Sequence, residues 1–272
     1  MPTRRSSILS AARHPFMGGL IALTLLCITG CDREEGRARP AKVLATEYAD
    51  VPTAGPGGAD PTASGAVLGA GVIKGKIKYT GPKPPLSPQQ RECHPGKGNI
   101  VIPDESVVVS DAGDLRFAVA FIKNPPGEGP NTPAPAMDNV NCIYDPHVVA
   151  VRAGQSVRFT SSDPILHNVH VMGNPNGEYN QGISKGDVKP YPVKAPAFAR
   201  VKCDVHPWMS GYIAVFEHGY YAVSKPDGSF EIKGLPAGAY TLSVWHEKLG
   251  TMDQEVTVAE DKPLEVTLTY KK

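Results

Sequence analysis

From Asn139 the chain reads "NVNCIYDPHVVAVRAGQSVRFTSSDPILHNVHVM". Short β-branched runs are cut by an Ala-Gly-Gln turn and a Ser-Ser-Asp-Pro turn. Strand, turn, strand, turn, strand at this spacing belongs to an antiparallel sandwich. The same texture recurs before and after this block. "GVIKGKIKYTG" and "DLRFAVAFIKN" read as strands, and the stretch from Tyr220 holds five more short alternating runs around "PDG" and "PAG" turns. No long amphipathic helical pattern appears after the first thirty residues, and the 272 residues include 28 Gly and 27 Pro. The expected fold class is all-β.

The first thirty residues stand apart. "MPTRRSSILSAARHPF" carries Arg4, Arg5 and Arg13 and runs into "MGGLIALTLLCITG", a basic region followed by a short apolar one. That order reads as an export signal, residues 1–30, and the apolar run is short for a membrane span. The ending "ITGC" resembles the lipobox of bacterial lipoproteins, which implies that Cys31 is the lipidated first residue of a membrane-anchored, exported protein on the periplasmic side. Removing residues 1–30 takes three Arg and no acid from the 28 basic residues. It leaves 25 basic against 27 acidic residues, a formal charge of −2. Without a basic patch or stripe, nucleic acid is not an expected partner.

Residues 31–65, "CDREEGRARPAKVLATEYADVPTAGPGGADPTASG", lack aliphatic periodicity and read as a tether. A flexible coil of ~35 residues has an end-to-end distance of roughly 30 Å. Residues 66–137 hold the first two strands, separated by the Pro-rich loop "PKPPLSPQQRECHPGKG" and followed by the linker "PPGEGPNTPAPA". Residues 138–217 form the central block, in which a glycine- and lysine-containing loop is expected over 173–190. Residues 218–272 close the chain, and their "DGSFEIKGLPAGAYTLSV" resembles the carboxypeptidase regulatory-like, transthyretin-like β-sandwich. Five strands are fewer than that fold's usual seven. The two early strands would complete it, giving a discontinuous sandwich around an inserted central domain.

The cysteines narrow the chemistry. Cys27 leaves with the signal and Cys31 takes lipid, so Cys93, Cys142 and Cys203 remain in an oxidising compartment. Two can pair and one is left over. An unpaired exported thiol invites oxidation unless something occupies it. "VKCDVHPWMSG" sets Cys203, His206 and Met209 three residues apart between two expected strands, and His167 lies at the start of another. Two imidazoles, one thiolate and a weak thioether are the donor set of a blue-copper electron-transfer site; zinc is the runner-up, but its sites rarely use Met.

In that order, "PILHNVHV" before "CDVHPWM", the central block resembles a cupredoxin, with a ligand loop most like the amicyanin type. The resemblance implies one type 1 copper held by His167, Cys203, His206 and Met209. It also implies that Asn168 ties the ligand loop near the cysteine sulfur, and that His206 is the surface exit for electrons. Pro207 and Trp208 flank that exit and are the expected docking residues for a protein redox donor and acceptor. Lys202 and Asp204 flank Cys203 where multicopper oxidases have histidines. The loop also has one cysteine where a binuclear site needs two, so an enzyme is not expected. An envelope copper carrier stays as the alternative function. Cys93 and Cys142 are then the expected disulfide, stapling the N-terminal segment to the metal domain. His170 should face away from His167, since i and i+3 lie on opposite sides of a strand. His94, His147, His218 and the His246–Glu247 pair show no partner pattern and read as structural.

Overall fold

The computed structural model describes residues 68–83, 89–173 and 175–271. The expected signal, Cys31 and the tether 31–65 lie outside them. Among the described residues the chain is all-β, with strands numbered in chain order and no helix.

The central block folds into two facing sheets. One has the order β10 (Tyr179–Ile183), β9 (His167–Met172), β12 (Ala197–Lys202), β13 (Ser210–Phe216), β7 (Val148–Arg152). The other has the order β11 (Val188–Pro192), β8 (Ser156–Ser161), β5 (Ala136–Val140), β6 (Ile143–Asp145). Strand β8 shows why this sequence makes a sandwich. Val157, Phe159 and Ser161 are buried while Ser156, Arg158 and Thr160 face outward, the period-two pattern of a strand with one wet face. Val169, Val171, Val201, Ile213 and Phe159 meet in the core between the sheets. At roughly 25 cal/mol per Å² of apolar area, each buried aliphatic or aromatic side chain contributes on the order of 2 kcal/mol.

One expectation needs correction here. The region 173–190 is not simply a loop, because it contains β10 and most of β11. Both lie at sheet edges. An edge strand needs only one row of backbone bonds, so it tolerates Gly182 in β10 and Pro190 and Pro192 in β11. That composition hides the strand pattern in the sequence.

A second sandwich draws strands from both ends of the chain. Strand β1 (Gly71–Tyr79) runs antiparallel to β15 (Ser229–Leu235) and parallel to β18 (Leu264–Tyr270). Strand β4 (Val119–Ile122) lies between β14 (Tyr221–Val223) and β16 (Gly238–His246), and β17 (Gly250–Val258) completes that sheet. The central sandwich is thus inserted between the second and third strands of this seven-stranded unit. Its core is separate, built around Ile73, Ile77, Leu115, Leu242 and Val244. An aromatic layer joins the two sandwiches: Trp245 stacks on Phe198 at 4.4 Å and meets Tyr212 at 5.4 Å, and Phe121 packs on Phe216 at 4.9 Å.

The segment 89–102 belongs to neither sandwich. It forms a small hairpin of β2 (Gln89–Arg91) and β3 (Ile100–Ile102). Cys93 and Ile102 join the core of the central sandwich, and Cys93 is bridged to Cys142. The expected disulfide is present. It fastens this hairpin to the turn between β5 and β6.

Candidate metal centre

The site lies at one end of the central sandwich, where β9 begins and the β12–β13 loop turns. Lys202 pairs with Ser210 and closes the seven-residue loop from Cys203 to Met209. Inside the loop the Cys203 amide donates to the Met209 carbonyl at 3.2 Å, and the Met209 amide donates to the His206 carbonyl at 2.9 Å. Gly211 follows the loop because β13 passes close to β7 here. A Cβ at that position would stand 2.8 Å from the His147 carbonyl oxygen.

The loop and β9 meet at His206. His167 Nδ1 stands 3.0 Å from His206 Nδ1, and Cys203 Sγ stands 3.7 Å from that same His206 nitrogen. The amides of Asn168 and His206 both donate to Cys203 Sγ at 3.4 Å. His167, Cys203 and Met209 are buried, while His206 is half-exposed. Met209 lies in the same core as Cys203.

Asp163 sets the tautomer of His167. Its Oδ2 accepts from His167 Nε2 at 2.8 Å, so the Nδ1 lone pair is left facing His206. Burial alone would raise the Asp163 carboxyl, but the amides of Cys142 and Asn141 and the His167 ring more than reverse this and hold it below its ordinary range. Burial pushes His167 below its ordinary value against the opposing pull of Asp163, and burial followed by the nearby His167 lowers His206. Both rings are therefore neutral near pH 7, the form that binds a metal. Two neutral imidazole nitrogens meeting beside a thiol with two amide donors fit a thiophilic cation bound by nitrogen and sulfur.

Asn168 ties the loop to β9. Its Oδ1 accepts from the Asp204 amide, and its Nδ2 donates to Asn180 Oδ1 at 2.7 Å and to Asp204 Oδ2 at 3.1 Å. Asp204 also pairs with Lys202 at 2.7 Å and with His170 at 2.8 Å. His170 thus faces away from His167, on the outer side of β9. Trp208 is half-buried. Its Nε1 donates to the Cys142 carbonyl at 3.2 Å, its ring lies 5.2 Å from that of His206, and the Arg91 guanidinium lies 5.5 Å over it. Pro207 is exposed, as are Val205 and Leu166, which precede His206 and His167.

No known family pattern matches this chain, and no curated protein does. Solved structures match it in part. A purple cupredoxin from Nitrosopumilus maritimus is 19% identical over 30% of this chain and 98% of its own, with a TM-score of 0.27. A reduced amicyanin variant is 23% identical over 36% of this chain and 98% of its own, with a TM-score of 0.29. A copper-containing nitrite reductase from Thermus scotoductus is 18% identical over 35% of this chain and 25% of its own, with a TM-score of 0.30.

Several residues at the site had no reading in the sequence. Asp163 passed as part of a Ser-Ser-Asp-Pro turn, although a carboxylate four residues before a candidate ligand is a signal for an orienting partner. His94 reads as structural, yet its Nε2 lies 3.3 Å from Asp163 Oδ1, one residue removed from His167. Cys142 reads only as half of a disulfide, yet its sulfur lies within 4.8 Å of ring nitrogens of both His167 and His206. His147 pairs with Glu247 across the two sandwiches. Only the fold brings those two together.

Proposed function

We propose that this chain is a type 1 copper protein of the cell envelope that passes single electrons between protein partners, with no catalytic step of its own. Lipid on Cys31 tethers it to a membrane, and the second sandwich serves as scaffold or docking unit. The observation that carries this reading is the approach of both His167 Nδ1 and Cys203 Sγ to one nitrogen, His206 Nδ1, at the end of a rigid sandwich. Met209, closing the same loop, would complete the donor set with a weak thioether sulfur. Bound copper supplies a one-electron couple.

The residues around it hold the donors still. Asp163 fixes one imidazole, Asn168 and Asp204 fix the loop, and two amides fix the sulfur. Donors held in this way change position little between oxidation states. His206 alone of the four donors reaches the surface, and exposed Val205, Pro207 and Leu166 give that surface an apolar character suited to a transient protein contact. The flanking pair Lys202 and Asp204 offers no imidazole for a second metal cluster.

The test mixes the copper-loaded chain with a small reduced redox protein under stopped flow, with a chelator present. Bleaching of the oxidised centre while copper stays bound is the expected result. Rapid loss of copper to the chelator with no electron exchange would establish the carrier alternative instead.

A further inference from the structure

His147 shows no partner pattern in the sequence, yet the fold holds it firmly. It directly precedes β7 and is 3% exposed, with its ring between Phe117 at 5.3 Å and Tyr212 at 6.1 Å. Its Nε2 donates to Glu247 Oε1, which directly follows β16 in the other sandwich. That bond puts the ring proton on Nε2. The other ring nitrogen, Nδ1, is buried and has no hydrogen-bond partner among the described residues. A histidine that ligates a metal is held in this way, one nitrogen donating to a carboxylate and the other left open. An unmet buried nitrogen is otherwise costly.

Nδ1 faces a cavity of about 200 Å³ whose walls include Asp104, Glu105, Ser106, His147, Trp208 and Met209. Glu105, on that wall, stands opposite Nδ1 with Oε2 at 3.8 Å, whereas Glu247 on the Nε2 side is not part of the wall. This separation is too long for a hydrogen bond, so the two groups do not satisfy each other. Two donors each about 2.1 Å from one cation do stand that far apart. Burial raises the Glu105 carboxyl above its ordinary range, against the opposing pull of His147 and Arg116. Asp104 adds a second carboxylate, which accepts from the Ser106 amide at 3.0 Å. Among the described residues no lysine or arginine lines the cavity. Its volume has room for several waters, each of which takes about 30 Å³ in the liquid.

We propose that this cavity binds a hydrated divalent cation through His147 Nδ1 and a Glu105 oxygen, a second metal site that clamps the junction of the two sandwiches. One imidazole, one carboxylate and water suit a borderline dication such as Zn(II). Asp104 acts through water, as a second negative charge beside the ion. Glu105 comes from the segment between β3 and β4, His147 from the start of β7, and Glu247 supports His147 from the end of β16. The bound ion therefore ties the central sandwich to the segment that leads into the other one. Trp208 and Met209 belong to the ligand loop, so the two sites adjoin. The second site takes no donor from His167, Cys203 or His206, and the inference does not rest on the copper reading.

Zn(II) alone is the probe, and bound metal per chain is counted after dialysis. The native chain should hold two Zn(II), Glu105→Gln and His147→Gln one each, and Cys203→Ser/His206→Gln one. In that last variant Zn(II) should also raise the thermal midpoint, and adding Glu105→Gln should abolish the rise. Glu105→Gln keeps the side-chain volume at a partly exposed position, so it tests the site even where His147→Gln does not fold. Two Zn(II) in Glu105→Gln would overturn the second site. So would a native chain whose single Zn(II) is lost in Cys203→Ser/His206→Gln, a result that leaves the metal-centre reading standing. Two Zn(II) in Cys203→Ser/His206→Gln with one in Glu105→Gln would support the second site and count against the metal-centre reading instead.

Discussion

Asp163 accepts a hydrogen bond from His167 Nε2 at 2.8 Å while holding the amides of Asn141 and Cys142, so one carboxylate joins the β5–β6 turn to the His167 imidazole. A carboxylate behind a ligating histidine fixes its orientation and raises its basicity. Removing such a partner costs roughly 10–100-fold in metal affinity. Asp163→Ala should therefore weaken Cu(II) binding by about that factor, read by competition against a chelator of known affinity. Unchanged affinity would mean that His167 needs no such support, or does not bind the metal.

Trp208 touches His206 on one side and the Cys142 carbonyl on the other. It covers the loop without supplying a donor. Trp208→Ala should leave copper bound and slow electron exchange with a protein partner, because the apolar rim beside His206 loses its largest member. Equal exchange rates in the two proteins would remove Trp208 from the docking surface.

Acid should destabilise the fold through two buried histidines outside the site. Burial is the first cause that lowers His218 to about 4, and burial likewise lowers His246 to about 4 against the opposing pull of Glu247. In the unfolded chain each takes its proton near the ordinary histidine value of about 6.5. Between these values the unfolded state binds more protons, so stability falls as pH drops from about 6.5 towards 4, by on the order of 3 kcal/mol per histidine. His246→Asn keeps an acceptor for the Lys248 amide, which now donates to His246 Nδ1. It should flatten urea-unfolding stability against pH by about 1.4 kcal/mol per pH unit across that window. An unchanged slope would show that His246 does not titrate in this way.

The aromatic layer between the sandwiches is the structural counterpart of the inserted topology. Trp245 is buried there, stacked on Phe198 and edge-on to Tyr212. Trp245→Ala should cost about 3–5 kcal/mol in urea unfolding while leaving the visible spectrum of the copper centre in place. Spectral loss without loss of stability would contradict the separation between this layer and the site.

The candidate donors could be named from the sequence because their spacing is local. Cys203, His206 and Met209 share one loop, and His167 with Asn168 opens a strand whose Val169 and Val171 alternate inward. The seven-stranded unit was legible as a shortage, since five C-terminal strands need two more and β1 and β4 are the strands that pair with them. Contacts between distant segments were not legible. Nothing local says that Cys93 and His94 fold back onto a site formed by residues 163–209, or that Glu247 meets His147 from 100 residues away. Edge strands β10 and β11 stayed hidden because glycine and proline are tolerated where half of the backbone groups need no partner.

The most direct measurement is the visible and electron-paramagnetic spectrum of the Cu(II)-loaded chain beside Cys203→Ser. The account predicts an intense thiolate-to-copper band and narrow copper hyperfine splitting in the native chain, both lost in Cys203→Ser. A colourless Cu(II) protein with wide hyperfine splitting, the same in both chains, would contradict it.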